Sequence, residues 1–170
     1  MIKKLLNQLI KKLPFIDLVG MRDELIVEHF RKGKLIHKQV VKGHSPVNTG
    51  LALCADRLGA VAGGAAVTYL ALGTGSTAVD PTDTALVTEV TDTGLARASA
   101  TVTRETTNVT NDTLQLVYEW TATGVKILRE IGAFNAAAAG TMLARKVYDA
   151  ITTADTDHVK MTYKFPFTAA

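Results

Sequence analysis

A single cysteine, Cys54, stands among 170 residues. An intrachain disulfide and a thiolate-based zinc site are therefore both excluded. Aromatic residues make up only 6% of the chain, with one Trp. A carbohydrate platform would have to be built from Trp120, Tyr118, Tyr148 and Tyr163. No apolar run reaches the roughly 18 residues that a membrane-spanning helix needs. Lysines interrupt residues 1–13 and no cleavage site follows, which argues against a secretory signal. Proline is rare, at four residues.

Hydrophobic residues at 47% and charged residues at 21% describe a globular chain, long enough for a core without staples. Small residues replace the missing aromatics. There are 23 threonines, nearly all from Thr68 onward, and a Thr- and Val-rich texture favours strands. The net charge of +3 is unevenly placed. Residues 1–45 carry ten Lys/Arg against four Asp/Glu, and residues 46–170 carry nine against twelve. The basic surplus is local, which is not the footprint of a body that binds nucleic acid.

Residues 2–13 have the spacing of an amphipathic helix, ended by Pro14. Leu5, Leu6, Leu9, Ile10 and Leu13, with Ile2, form the apolar stripe. Lys3, Lys4, Lys11 and Lys12 form the basic face. So short a helix is marginal alone, and its leucine stripe needs a surface to dock on, in the same chain or a partner. The lysine face would also suit a phosphate backbone or an anionic membrane.

Residues 24–30 and 34–42 read as a hairpin, with Arg31-Lys32-Gly33 as a three-residue loop. A short helix is expected over 50–58, capped by Asn48 or Thr49 and closed by Gly59. Strands are expected at 67–72, 95–106, 113–122, 125–134, 141–149 and 158–167, with one helical turn at 84–87. Leu114, Leu116, Tyr118 and Trp120 alternate onto one face. The fold class expected is mainly β: an antiparallel β-sandwich of about 7–8 strands, an N-terminal amphipathic helix and one short internal helix. Residues 1–20 form the docking segment and 21–170 a single domain, with hairpin 24–42, helix 50–58 and core strands over 67–167.

Chemistry is thin. Gly73-Thr-Gly75 lacks the Gly-Lys-Ser/Thr continuation of a phosphate loop and reads as a tight turn. Cys54, among small apolar residues, reads as a buried inert thiol. His29 and His37 fall diagonally opposite in the hairpin, without evident ligands to complete a metal site. Asp155-Thr-Asp157 before His158 lacks the spaced oxygens of a calcium loop. Glu119 and Glu130 would pair as carboxylates only on adjacent strands, and surface ion pairs with Lys126, Arg129 or Lys146 are the simpler reading. No catalytic residue, cofactor or metal site is expected, and no small-molecule substrate.

A chain of local signatures carries a resemblance. These are Leu51-Ala-Leu-Cys-Ala-Asp-Arg-Leu58, Tyr69-Leu-Ala-Leu-Gly-Thr-Gly75 and Asp80-Pro-Thr-Asp-Thr-Ala-Leu-Val-Thr-Glu-Val90. Leu95-Ala-Arg97, Ile127-Leu-Arg-Glu-Ile-Gly-Ala-Phe134 and Gly140-Thr-Met-Leu-Ala-Arg145 follow. In order and spacing over some 100 residues, they resemble the base-attachment domain of tail-collar type fibres of tailed bacteriophages, and related small phage virion proteins. The resemblance implies a β-rich structural unit that assembles symmetrically and catalyses nothing. It implies a location in the virion after synthesis in the host cytoplasm. A fibre would continue into a shaft, whereas this chain stops at Ala170 and adds a helix and hairpin in front. A stand-alone assembly component is expected: a capsid decoration protein, a neck or head–tail protein, or a fibre adaptor. Its expected partners are copies of itself and capsid, portal, neck or tail proteins. A small receptor- or glycan-binding module at the virion surface is the alternative. Phe165 and Phe167 are expected to anchor the last strand, chiefly by core packing.

Overall fold

The computed structural model describes residues 20–61 and 64–168. The expected helix at 2–13, with its stripe and basic face, lies outside them. The strands are β1 (Gly20–Met21), β2 (Asp23–Arg31), β3 (Lys34–Gly43), β4 (Tyr69–Gly73), β5 (Ala98–Ser99) and β6 (Thr101–Glu105). The remainder are β7 (Thr113–Thr121), β8 (Ile127–Phe134), β9 (Met142–Thr152) and β10 (His158–Thr168). One helix, α1 (Asn48–Gly59), is inserted between β3 and β4.

All pairings are antiparallel, and they make two sheets. The larger runs β3-β2-β10-β7-β6, with β1 also on β10; the smaller runs β5-β4-β8-β9. Alternation explains the large sheet. Leu25, Val27, Met161, Tyr163, Phe165, Leu116 and Trp120 are buried on its inner face. They share one hydrophobic cluster with Leu70, Leu72, Leu128, Ile131 and Leu143 of the small sheet. Mainly β structure, two antiparallel sheets and one short helix are therefore as expected. Phe165 joins the core, while Phe167, two residues on, is 40% exposed.

The small sheet is buried on its second face too. There Ala71, Phe134 and Met142 pack with Val47 and Leu86, at the start of α1 and in the long connection after β4. This double burial is why β4 and β8 read as near-continuous apolar runs.

Several expectations about local structure need correction. The strand expected at 95–106 is two strands in different sheets. β5 pairs with β4, the Ala100 amide then donates to the Thr68 carbonyl, and β6 pairs with β7. No Gly or Pro marks that crossing. The hairpin loop has two residues, not three: Arg31 pairs with Lys34, and Lys32 and Gly33 both take left-handed φ values of 51° and 72°. That is the turn whose twist matches a hairpin. A bulge at His29/Phe30 absorbs the extra residue. Helix α1 has Val47 at its N-cap without a side-chain cap, and Ala60, not Gly59, adopts the left-handed C-cap. Residues 84–87 form no helical turn. Gly50 lets α1 sit directly on β9, since a Cβ there would lie 2.0 Å from the Leu143 carbonyl oxygen.

Candidate functional site

The residues that carry chemistry fall into four groups, three of them buried. The first lies on the second face of the small sheet. Glu130 is fully buried on β8 and meets four donors. Its Oε1 accepts from the Gly75 and Thr88 amides, both at 3.0 Å. Its Oε2 accepts from the Val87 amide at 3.3 Å and Arg145 Nε at 2.6 Å. Arg145, on the neighbouring strand β9, is also fully buried. Its remaining nitrogens reach Asp83 at 2.9 Å and the carbonyls of Thr77 and Ala78. Together this pair ties the 74–88 connection to the sheet. Gly73 and Gly75 make room for it: a Cβ at either would lie 2.5 Å from Glu130 Oε1.

The sequence reading placed Glu130 on the surface, paired with Lys126, Arg129 or Lys146; its partner is Arg145. The apolar run around each residue, Ile127-Leu-Arg-Glu-Ile and Met142-Leu-Ala-Arg, is the signal that both charges lie inside. The reading of Gly73-Thr-Gly75 as a tight turn omitted its second task of accommodating a carboxylate. Glu119, the other carboxylate of the suggested pair, sits on β7 in the large sheet, exposed beside His158 at 2.9 Å. The two carboxylates are on different sheets and form no acid–base pair.

Arg97 builds the second group. It forks onto Glu89 at 2.9 and 2.6 Å and donates to the carbonyls of Ala136 and Ala139. Its guanidinium lies 3.7 Å above the Phe134 ring. It thereby holds the β8–β9 loop against the segment before β5.

Asp157 centres the third group. It is buried and takes His29 Nε2 at 2.7 Å, Arg31 Nε at 2.9 Å and Nη2 at 2.7 Å, and the Ala154 amide at 2.8 Å. The Arg31 guanidinium, helped by His29, holds its carboxyl well below the usual range despite burial. His37 stands directly opposite His29, not diagonally, but His29 is committed to Asp157. Among the described residues, no group of three or more His, Cys, Asp or Glu converges where a metal ion could sit. The fourth group, Asp23 with Lys146 and Tyr163, lies between the sheets and is taken up below.

Cys54 is half-buried, and burial pushes its thiol pKa up, away from nucleophilic character. Trp120, Tyr148 and Tyr163 are buried, and Tyr118 packs edge-on against Trp120. They offer no exposed stacking surface.

Two outer surfaces remain. On the outer face of the large sheet, Lys42–Glu24–Lys164 and Lys38–Glu28–Lys160 form two cross-strand ladders, with contacts of 3.0 and 3.9 Å in each. Between them runs the row Val40, Ile26, Thr162, Val117 and Thr101. On α1, Leu51 and Leu58 fall on one face at i, i+7 and point outward, 50% and 91% exposed, followed by Val61 at 82%. Beside the helix is a groove of about 440 Å³, lined by Leu53, Asp56, Thr84, Asn135 and Thr141 among others. It holds no convergent charged pair.

No family model, curated protein or solved structure matches this chain.

Proposed function

We propose that the chain is a non-enzymatic structural component of a tailed-phage virion, a decoration, neck or fibre-adaptor protein working through protein–protein contacts. On this reading the two facing sheets form a β-sandwich, the compact β-rich unit that the tail-collar resemblance implies. One observation carries the proposal. The residues behind the sequence resemblance, Gly73, Gly75, Glu89, Arg97, Glu130 and Arg145, meet in buried or half-buried pairs that fasten long connections to one sheet. Residues so engaged build a scaffold and are not free to turn over a substrate. Helix α1, with an outward face of Leu51, Leu58 and Val61, supplies apolar contact area that a subunit interface would cover. The N-terminal stripe of Leu5, Leu6, Leu9, Ile10 and Leu13 is the proposed latch to a neighbouring virion protein. The glycan-binding alternative finds no support in side chains, because the aromatic platform it needs is in the core.

The test is the composition of particles purified by density gradient from a productive infection that expresses this chain. Peptides from residues 20–168 should appear in particles at a fixed copy number. Deletion of residues 1–19 should lower that number. A protein found only in the soluble lysate would refute the proposal.

A further inference from the structure

The fourth buried group has the makings of a covalent cross-link. Asp23 opens β2 in the large sheet, and Lys146 lies on β9 in the small one. Lys146 Nζ is 2.7 Å from Asp23 Oδ2, with the two side chains 4% and 0% exposed. The Tyr163 hydroxyl, on β10, donates to the same Oδ2 at 2.9 Å. Oδ1 of Asp23 is buried with no hydrogen-bond partner. Beyond Asp23, the ammonium donates to the Val41 carbonyl at 3.5 Å and lies 6.0 Å from the centre of the Tyr163 ring. Burial pushes the Lys146 pKa down, though Asp23 opposes it. Burial also keeps the Tyr163 phenol protonated.

A buried ion pair that leaves lone pairs and N–H groups unsatisfied loses much of its hydration without full return. An amide in the same place carries no net charge and has fewer polar atoms to satisfy. We propose that Lys146 and Asp23 condense, so that the folded protein carries an amide bond between Lys146 Nζ and Asp23 Cγ that joins the two sheets.

The step balances without a co-reactant. A proton passes from the ammonium to Oδ2, the oxygen it is hydrogen-bonded to, which gives a neutral amine beside a neutral carboxylic acid. The nitrogen lone pair attacks Cγ and forms the C–N bond. The Cγ–Oδ1 bond then breaks, and Oδ1 leaves as water with one proton from nitrogen and the one held by Oδ2. Oδ2 remains as the amide carbonyl. Tyr163, donating to Oδ2, draws electron density from Cγ and so favours the attack. The two sheets hold the amine nitrogen 2.7 Å from Oδ2, so the reacting groups do not have to be brought together first. The atom that leaves is the one carboxylate oxygen without a partner.

Intact-mass spectrometry of the purified, denatured full chain decides the matter. The expected mass is one water below that of the sequence. Trypsin should release the peptide Asp23–Arg31 joined to Lys146–Lys160 as one branched species. An unmodified mass with two separate linear peptides would overturn the proposal, whatever any variant does. Lys146→Arg keeps a cation but has no amine to condense, and should show the full sequence mass. Tyr163→Phe should accumulate unreacted chain; complete conversion would overturn the role given to Tyr163.

Discussion

Replacing Glu130 by Gln is the most informative single perturbation of the scaffold. The change is nearly isosteric, so it creates no cavity and separates charge and hydrogen bonding from packing. Every neighbour of the carboxylate is a donor: the amides of Gly75, Val87 and Thr88, and Arg145 Nε. Whichever way the Gln amide is turned, its NH2 group faces donors and leaves at least one of them unsatisfied. Removing one partner of a buried ion pair costs about 3–5 kcal/mol, because the other charge stays behind. Here Asp83, itself partly exposed, still neutralises Arg145 in part, which draws the figure toward the lower end. Each stranded buried amide adds about 1–3 kcal/mol. The net expectation is a loss of about 4 kcal/mol, a large part of a typical domain stability of about 5–15 kcal/mol.

Urea denaturation followed by Trp120 fluorescence measures this loss. Trp120 is the single tryptophan, is buried, and donates its indole N–H to the Ala96 carbonyl. The midpoint should fall while the slope m stays constant, since the surface exposed on unfolding is unchanged. The pair Glu130→Leu with Arg145→Met supplies the control. It removes both charges, which often costs little by itself, but leaves the backbone amides without an acceptor. It should recover only part of the loss. A Glu130→Gln protein within 1 kcal/mol of the parent, by this same rule for buried pairs, would refute the assignment of Glu130 as the clamp on 74–88.

Three other outcomes follow from the geometry. Gly50→Ala should lower the melting temperature despite a helix-propensity gain of about 1 kcal/mol, because the added Cβ collides with the Leu143 backbone; an unchanged or raised temperature would show that α1 does not seat there. The depressed Asp157 carboxyl should make stability acid-sensitive: its contribution is complete above the unfolded value of about 3.9 and is lost as pH falls toward the lower native value. Asp157→Asn should therefore be less stable than the parent at neutral pH and converge with it in acid, and parallel pH profiles would contradict this. Glu24→Gln breaks an exposed ladder and should cost less than about 1 kcal/mol, less again at high salt; a loss of several kcal/mol would make those ladders structural.

Strands with a dry and a wet face were legible from the alternation of apolar and polar residues. Leu114, Leu116, Tyr118 and Trp120 all point inward as their spacing requires, and β2, β7 and β10 differ from expectation by a residue or so at their ends. The crossing at Ala100 was not legible, since Ala98, Ser99 and Thr101 carry no breaker and the change of sheet is set by the partners β4 and β7. The hairpin loop was misjudged by one residue because Lys32 gives no hint that it adopts a left-handed conformation. Burial of Glu130 and Lys146 was misread, and that of Arg145 not foreseen, for a different reason. A charge inside a sheet is tolerated only through its partners, and those partners are 15 to 123 residues away in sequence.

That dependence on distant partners explains why the chain looks chemically empty as a sequence yet highly charged inside. With 6% aromatics, it has few large apolar anchors beyond Leu86, Val90 and Leu95 to fix its long connections. Buried charges take over that work: Glu130 with Arg145 for residues 74–88, Arg97 with Glu89 for 135–140, and Asp157 with His29 and Arg31 for 153–157. Each loop is held through backbone amides or carbonyls as well as side chains, so its path is fixed whatever residues decorate its surface. A scaffold of this kind can keep its loops rigid while their exposed residues stay small and uncharged, as at Ala136–Gly140. Surfaces of small residues lose little side-chain entropy on contact, and loops already held in place pay no further ordering cost when a neighbour binds. The interior ion pairs are thus the physical reason that an Ala-, Thr- and Gly-rich exterior can present a defined shape, which the proposed assembly role would require.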